Sequence, residues 1–193
     1  MVSDCQPGSD PCPGQSCDEE GDQCLDLCDA VGSFSCRDHA AAGRLCLDLG
    51  TNDGIEPRSG GIDELEIDLT DAVSFGGGVS VTCVNAVDVS AGVSGTSVDG
   101  NTVTVSFSPG LPGQDACTVE LDCGALVCVR GVDGDLNLDG ETNTTDTSQV
   151  KLRFDQDAGT AGPQWDFDCS GVVNTTDFSQ IKLRFGNAAP ACP

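Results

Sequence analysis

The sequence has no tyrosine, one tryptophan, one methionine and one histidine, and aromatic residues make up only 4% of its 193 positions. A chain so poor in large side chains does not build one big core, and several small, loop-rich units are the economical arrangement. Basic residues are scarce too. Eight Lys and Arg stand against 32 Asp and Glu, for a formal net charge of -24. Such a field repels nucleic acid and anionic membrane surfaces and attracts cations, which excludes polyanionic partners. No apolar run approaches the ~18 residues of a spanning helix, so no membrane insertion is expected. The lone histidine, His39, lies in an Ala-rich polar stretch, and there is neither a Gly-x-Ser-x-Gly elbow nor a phosphate-cradling glycine loop. A non-catalytic protein is expected.

What the chain does have is 13 cysteines and 25 glycines. Cysteine at this density in a short chain signals disulfides formed in an oxidising compartment, which places the protein outside the cell or on its surface. At least five disulfides are expected, and the odd count leaves one cysteine over.

Three segments follow from the pattern. Residues 1–42 hold six cysteines (Cys5, Cys12, Cys17, Cys24, Cys28, Cys36) with almost no apolar periodicity. They look like a disulfide-bound cap or stalk, with a short helix over 22–31 whose Leu25, Leu27, Cys28 and Val31 would share a face. Residues 43–130 change to alternating runs: 45–49 (LCLDL), 65–69 (LEIDL), 79–83 (VSVTC), 102–107 (TVTVSF), 118–123 (TVELDC) and 126–130 (LVCVR). Period-two alternation bounded by Gly, Pro, Asn and Asp predicts half-buried antiparallel strands, and Asp99, Gly100 and Asn101 a hairpin turn. Six to eight such strands make an immunoglobulin-like β-sandwich. Residues 131–193 contain an internal repeat. NTTDTSQVKLRF at 143–154 recurs as NTTDFSQIKLRF at 174–185, differing only at Thr147/Phe178 and Val150/Ile181.

Each repeat is preceded by a run with the spacing of a calcium loop. The first places Asp135, Asn137, Asp139, Asn143 and Asp146 at positions 1, 3, 5, 9 and 12, with Gly140 at 6 and the backbone of Glu141 at 7. The second places Asp166, Asp168, Ser170, Asn174 and Asp177 in the same register, with Gly171 at 6 and Val172 at 7. Ca²⁺ wants six to eight oxygens, and a chain wraps it only by turning ligands inward at alternate residues. Ser170 is a weaker ligand than Asp, so the second loop is the poorer of the two. Asp146 and Asp177 also open S/T-x-x-Q-like stretches that read as capping boxes, starting each helix where its loop ends. Val150 and Phe154, like Ile181 and Phe185, lie four apart and are expected to pack inward.

Aspartate instead of glutamate at position 12, one helix per loop, and two copies across a connector resemble type I dockerins, over residues 134 to about 186. Residues 55–130 resemble the Ig-like modules that precede dockerins in some secreted bacterial proteins. The dockerin resemblance implies two Ca²⁺ sites and a docking face of Thr144, Thr145, Lys151 and Arg153 in one copy and Thr175, Thr176, Lys182 and Arg184 in the other. The implied partner is a β-sandwich, either a cohesin-like scaffold or another copy of this chain in a homopolymer. Mainly β architecture with a small α module is the expected fold class. Cys169 and Cys192, the only cysteines of the last segment, are expected to pair and clasp the second loop to the tail, with a bridge to the amino-terminal segment as the alternative.

Overall fold

The computed structural model describes residues 16–18, 23–25, 28–50, 54–70, 76–85, 87–88 and 92–192. Cys5 and Cys12 lie outside them. Strands β1 (Ser16–Asp18) and β2 (Gln23–Leu25) form a small antiparallel hairpin in which Cys17 and Cys24 occupy partner positions. Among the described residues of the helix expected over 22–31, 23–25 are strand β2 and Val31 lies exposed in the next strand, β3 (Ala30–Asp38), while Leu27 lies outside them.

Two five-stranded sheets follow. The first has the order β4 (Arg44–Asp48), β3, β6 (Ile62–Leu69), β10 (Thr102–Leu111), β9 (Val93–Asp99). The second has the order β5 (Ile55–Glu56), β12 (Leu126–Gly131), β11 (Ala116–Leu121), β7 (Val79–Cys83), β8 (Val87–Asp88). All pairings are antiparallel except β5 on β12. Alternation does what the sequence predicts in β6, where Leu65, Ile67 and Leu69 are buried while Glu64, Glu66 and Asp68 face outward. With Val103, Val105 and Phe107 of β10 they meet Val81, Val119, Leu121, Val127 and Val129 of the other sheet in one shared core.

The boundary expected at residue 43 is moved back to about residue 28. Strand β3 is an inner strand of the first sheet, paired with both β4 and β6. Its buried residues, Ser33, Ser35 and Cys36, are not branched aliphatics and fall on both faces, so alternation does not mark it. Nor is the cysteine-rich segment closed on itself: Cys28 bonds to Cys123 and Cys36 to Cys46, tying it into the sandwich. Cys83 joins Cys117 across neighbouring strands.

The last segment contributes α1 (Thr144–Lys151), a short α2 (Ala158–Ala161) and α3 (Thr175–Lys182) around a small core of Leu136, Val150, Trp165, Phe167, Val173 and Ile181. Phe154 packs against it edge-to-face with Phe178, whereas Phe185, expected inside, is 42% exposed. Phe178, on α3 itself, supplies the second ring.

The Cys169–Cys192 clasp is corrected. Cys192 bonds to Cys128 of β12, and Cys169 carries a free thiol. The reason is the path of the tail: Arg130 donates from Nε to the Pro190 carbonyl at 2.8 Å and from Nη2 to that of Ala189 at 2.9 Å, which lays residue 192 along β12.

Where the two units meet, Arg58 is fully buried. It donates to both carboxylate oxygens of buried Glu56, at 2.8 and 2.6 Å, and to the Ser35 carbonyl at 2.7 Å. Burial alone would raise the Glu56 pKa, but the guanidinium reverses this and holds it below the usual carboxylate value. A buried pair is costly to assemble and costlier to break from one side. Arg58→Ala should therefore lower unfolding stability by about 3–5 kcal/mol in urea titrations, more than Glu56→Gln combined with Arg58→Met, because only the single change strands a buried carboxylate.

Candidate metal centre

Both loops follow one backbone path. Position 4 is left-handed in each (Leu138, φ 63°; Cys169, φ 55°), and so is position 6 (Gly140, φ 95°; Gly171, φ 94°). In each, the position-1 carboxylate accepts the N–H of its position-6 glycine: Asp135 from Gly140 at 2.7 Å, Asp166 from Gly171 at 2.8 Å. Asp135 also accepts from the Asp139 N–H, and Asp166 from that of Ser170, both at 3.0 Å. The helices start earlier than the sequence suggests. Asn143 and Asn174 are the N-caps, receiving the N–H of Thr145 at 2.8 Å and of Thr176 at 2.7 Å. Asp146 and Asp177 return the bond to the N-cap N–H at 2.8 and 2.7 Å. Loop positions 10 to 12 are thus the first helical turn, and the capping boxes begin at position 9, not 12.

Asp135, Asp146, Asp166 and Asp177 are fully buried. Among the described residues none of them forms a salt bridge to Lys or Arg. Buried carboxylates without a cation resist ionisation. Burial pushes Asp135 and Asp177 up to about 6, against backbone N–H groups that favour the charge, and it raises Asp146 as well. In the second loop Asp166, Asp168 and Asp177 each bring an oxygen within 4.8 Å of the others. The first loop has Asn137 where the second has Asp168, and its amide donates to Asp139 at 2.8 Å. The second loop, poorer in its Ser170, is therefore the one that gathers three carboxylates. Ser170 Oγ itself bonds to Asp166 and to the Val172 carbonyl. This donor set, hard oxygens on a turning backbone with uncompensated negative charge, fits Ca²⁺.

Sequence reasoning missed the neighbour of Asp166. His39 is fully buried, its Nδ1 lies 2.6 Å from Asp166 Oδ2, and its Nε2 lies 3.1 Å from Arg58 Nη1. Burial would raise the Asp166 pKa, but His39 and the Gly171 N–H hold it below the ordinary carboxylate value. For the ring itself, burial and the Arg58 guanidinium oppose a charge, while Asp166 and the Cys169 side chain favour it. The contact with Arg58 decides the form. A guanidinium has no lone pair, so Nε2 must accept and the proton sits on Nδ1 of a neutral ring. The only sequence signal was a single histidine, and nothing in its Ala-rich surroundings marks burial.

On the helices, Thr144, Thr145, Thr175, Thr176, Lys151 and Lys182 are exposed. Arg153 and Arg184 are half-buried and stack on Trp165 and Phe167, 3.6 and 4.7 Å from the ring centroids. Both lysines lie near the one ring of Phe178. Two residues the sequence reading passed over stand out: Leu152 is 74% and Leu183 82% exposed, at matching places in the two repeats.

No protein-family model, curated protein or solved structure matches this chain. Among the described residues no helix is long and apolar enough to cross a membrane.

In metal-free protein, Asp135 and Asp177 stay protonated in the folded state up to about pH 6, whereas the unfolded chain releases those protons near pH 4. The folded state then holds more protons, so these two carboxylates make stability fall as pH rises through that window; among the loop carboxylates Asp166, held low, works in the opposite sense, as does a His39 kept neutral by the fold. Thermal unfolding in metal-free buffer should give a midpoint a few degrees lower at pH 7 than at pH 5, and millimolar calcium should remove the difference. A higher metal-free midpoint at pH 7 would contradict it.

Proposed function

We propose that this chain is an extracellular, non-catalytic calcium-binding assembly protein whose dockerin-like carboxyl-terminal module docks on a β-sandwich partner, another copy of the chain. The observation that carries the reading is the pair of loops with one backbone path and buried carboxylates lacking Lys or Arg partners. Asp135, Asn137, Asp139, the Glu141 carbonyl, Asn143 and Asp146 would hold one ion. Asp166, Asp168, Ser170, the Val172 carbonyl, Asn174 and Asp177 would hold the other. The ion supplies the positive charge these carboxylates lack, and because position 12 is also N3 of a helix, filling a loop fixes a helix start.

Several features support docking through the helices. Solvent-facing leucines recur at Leu152 and Leu183, each beside an exposed lysine and preceded by an exposed threonine pair. An apolar anchor ringed by polar groups is the usual anatomy of an interface centre. A self-partner is favoured because the chain carries both a β-sandwich and the helices, and because its acidic surface complements Lys151 and Lys182. The net charge of -24 opposes that contact, so bound calcium and screening salt are needed. The Ig-like likeness of the sandwich and export from the cell belong to the same reading, supported by four disulfides among the described residues. Catalysis gains no support from His39, which is buried with both ring nitrogens occupied. The second reading, recruitment to a separate cohesin-type scaffold, uses the same helix face.

Sedimentation velocity in millimolar calcium and moderate salt should show concentration-dependent assembly that a chelator reverses. Leu152→Asp alone should weaken it little, because the second copy of the face remains, and Leu152→Asp with Leu183→Asp should abolish it. A wild-type protein that stays monomeric at high concentration would sink self-assembly and favour the scaffold.

A further inference from the structure

The two loops are alike in sequence and backbone but not in what surrounds their first carboxylate. Asp135 Oδ2 is met by the Gly140 N–H, whereas Asp166 Oδ2 is met by the Gly171 N–H and also by an imidazole from the sandwich. Behind that imidazole runs a line of wholly buried groups: Arg58 Nη1 donates to His39 Nε2, and Glu56 takes two bonds from the same guanidinium. The backbone of His39 is pinned as well, its N–H donating to the Gly43 carbonyl at 2.8 Å and its carbonyl accepting the Ala42 N–H at 2.8 Å. That carbonyl also faces Gly171: a Cβ built there would come within 2.8 Å of it. The second loop therefore lies directly on the 3₁₀ turn of Ala40–Ala42. Each bond has a fixed direction. Because the guanidinium only donates, the ring can only donate to Asp166.

We propose that His39 is a positioning residue for calcium, reaching from the β-sandwich to orient Asp166, so that the second loop is completed across the interface between the two units and the first loop is not. This rests on the calcium reading of the loops. A ligating carboxylate held by a hydrogen-bonded outer neighbour loses little freedom on binding, and removing such a neighbour commonly lowers metal affinity about 10- to 100-fold. The first loop has only its own backbone for this purpose, so the two sites of the full chain are unequal and only one of them responds to the sandwich.

The test is calorimetric titration of the full chain with Ca²⁺ alone. An asparagine amide nitrogen can stand where histidine Nδ1 stands, whereas a glutamine nitrogen stands nearer Nε2. His39→Gln should weaken one of the two sites at least tenfold and leave the other within twofold, and His39→Asn should restore most of the loss. A purely structural role would weaken both sites together or neither. The sole histidine also gives one unambiguous imidazole NMR signal in unmodified protein, which decides the matter if the variants do not fold. That signal should shift in step with the occupancy of one site and stay still while the other fills. Two bound ions with equal effects on both sites, or with an unmoved histidine signal, overturn the inference and leave the calcium reading standing. A wild-type chain that takes up no calcium at millimolar concentration overturns both.

Discussion

A guanidinium with no exposure to water lies at the centre of this molecule. Arg58 cannot be neutralised, so its desolvation must be offset by partners in fixed places: the Glu56 carboxylate, the Ser35 carbonyl and the ring of His39. Glu56 belongs to an edge strand of one sheet, Ser35 to an inner strand of the other, and His39 to the turn that follows it. One side chain thus ties both sheets together. Through His39 and Asp166 it also reaches the carboxyl-terminal module. The backbone follows the same route, with Val132 and Gly134 donating to the carbonyls of Glu56 and Pro57 as the chain passes from β12 into the first loop.

The module needs this support because its own core is small. Six buried apolar residues hold two loops and three short helices, and two arginines are drawn in to stack on Trp165 and Phe167. Against that core stand buried carboxylates that repel one another at neutral pH. A divalent cation would reverse the sign of their contribution, while the Cys128–Cys192 disulfide and Arg130 fasten the tail from outside. On the proposed reading, calcium, the disulfide and the sandwich act on the same few dozen residues.

Much of this was legible in the sequence. Strand β6 and the turning of the two loops could be read because each obeys a local rule: alternation in one, a glycine at the bend in the other. Strand β3 could not be read, because its buried residues are two serines and a cysteine that do not alternate, and only pairing with β4 and β6 makes it an inner strand. Cysteine pairing failed for a similar reason. Proximity in sequence favoured Cys169 for Cys192, whereas the tail's bonds to Arg130 brought Cys192 to Cys128. His39 is the sharpest case. A polar residue among alanines looks solvated, and its role depends on Arg58 and Asp166, one 19 and the other 127 residues away. Exposure of Leu152 and Leu183 was hidden too, since a leucine's type gives no sign that it faces solvent.

Native mass spectrometry of the intact chain tests the central claim most directly, because it counts ions. In calcium the protein should carry two Ca²⁺ per chain, each taken up with loss of two protons. Asp135→Ala or Asp166→Ala should each remove one ion, and both together should remove both. A mass without bound calcium, or a broad ladder of adducts unchanged by these substitutions, would mean that the acidic loops attract cations only as a charged surface does.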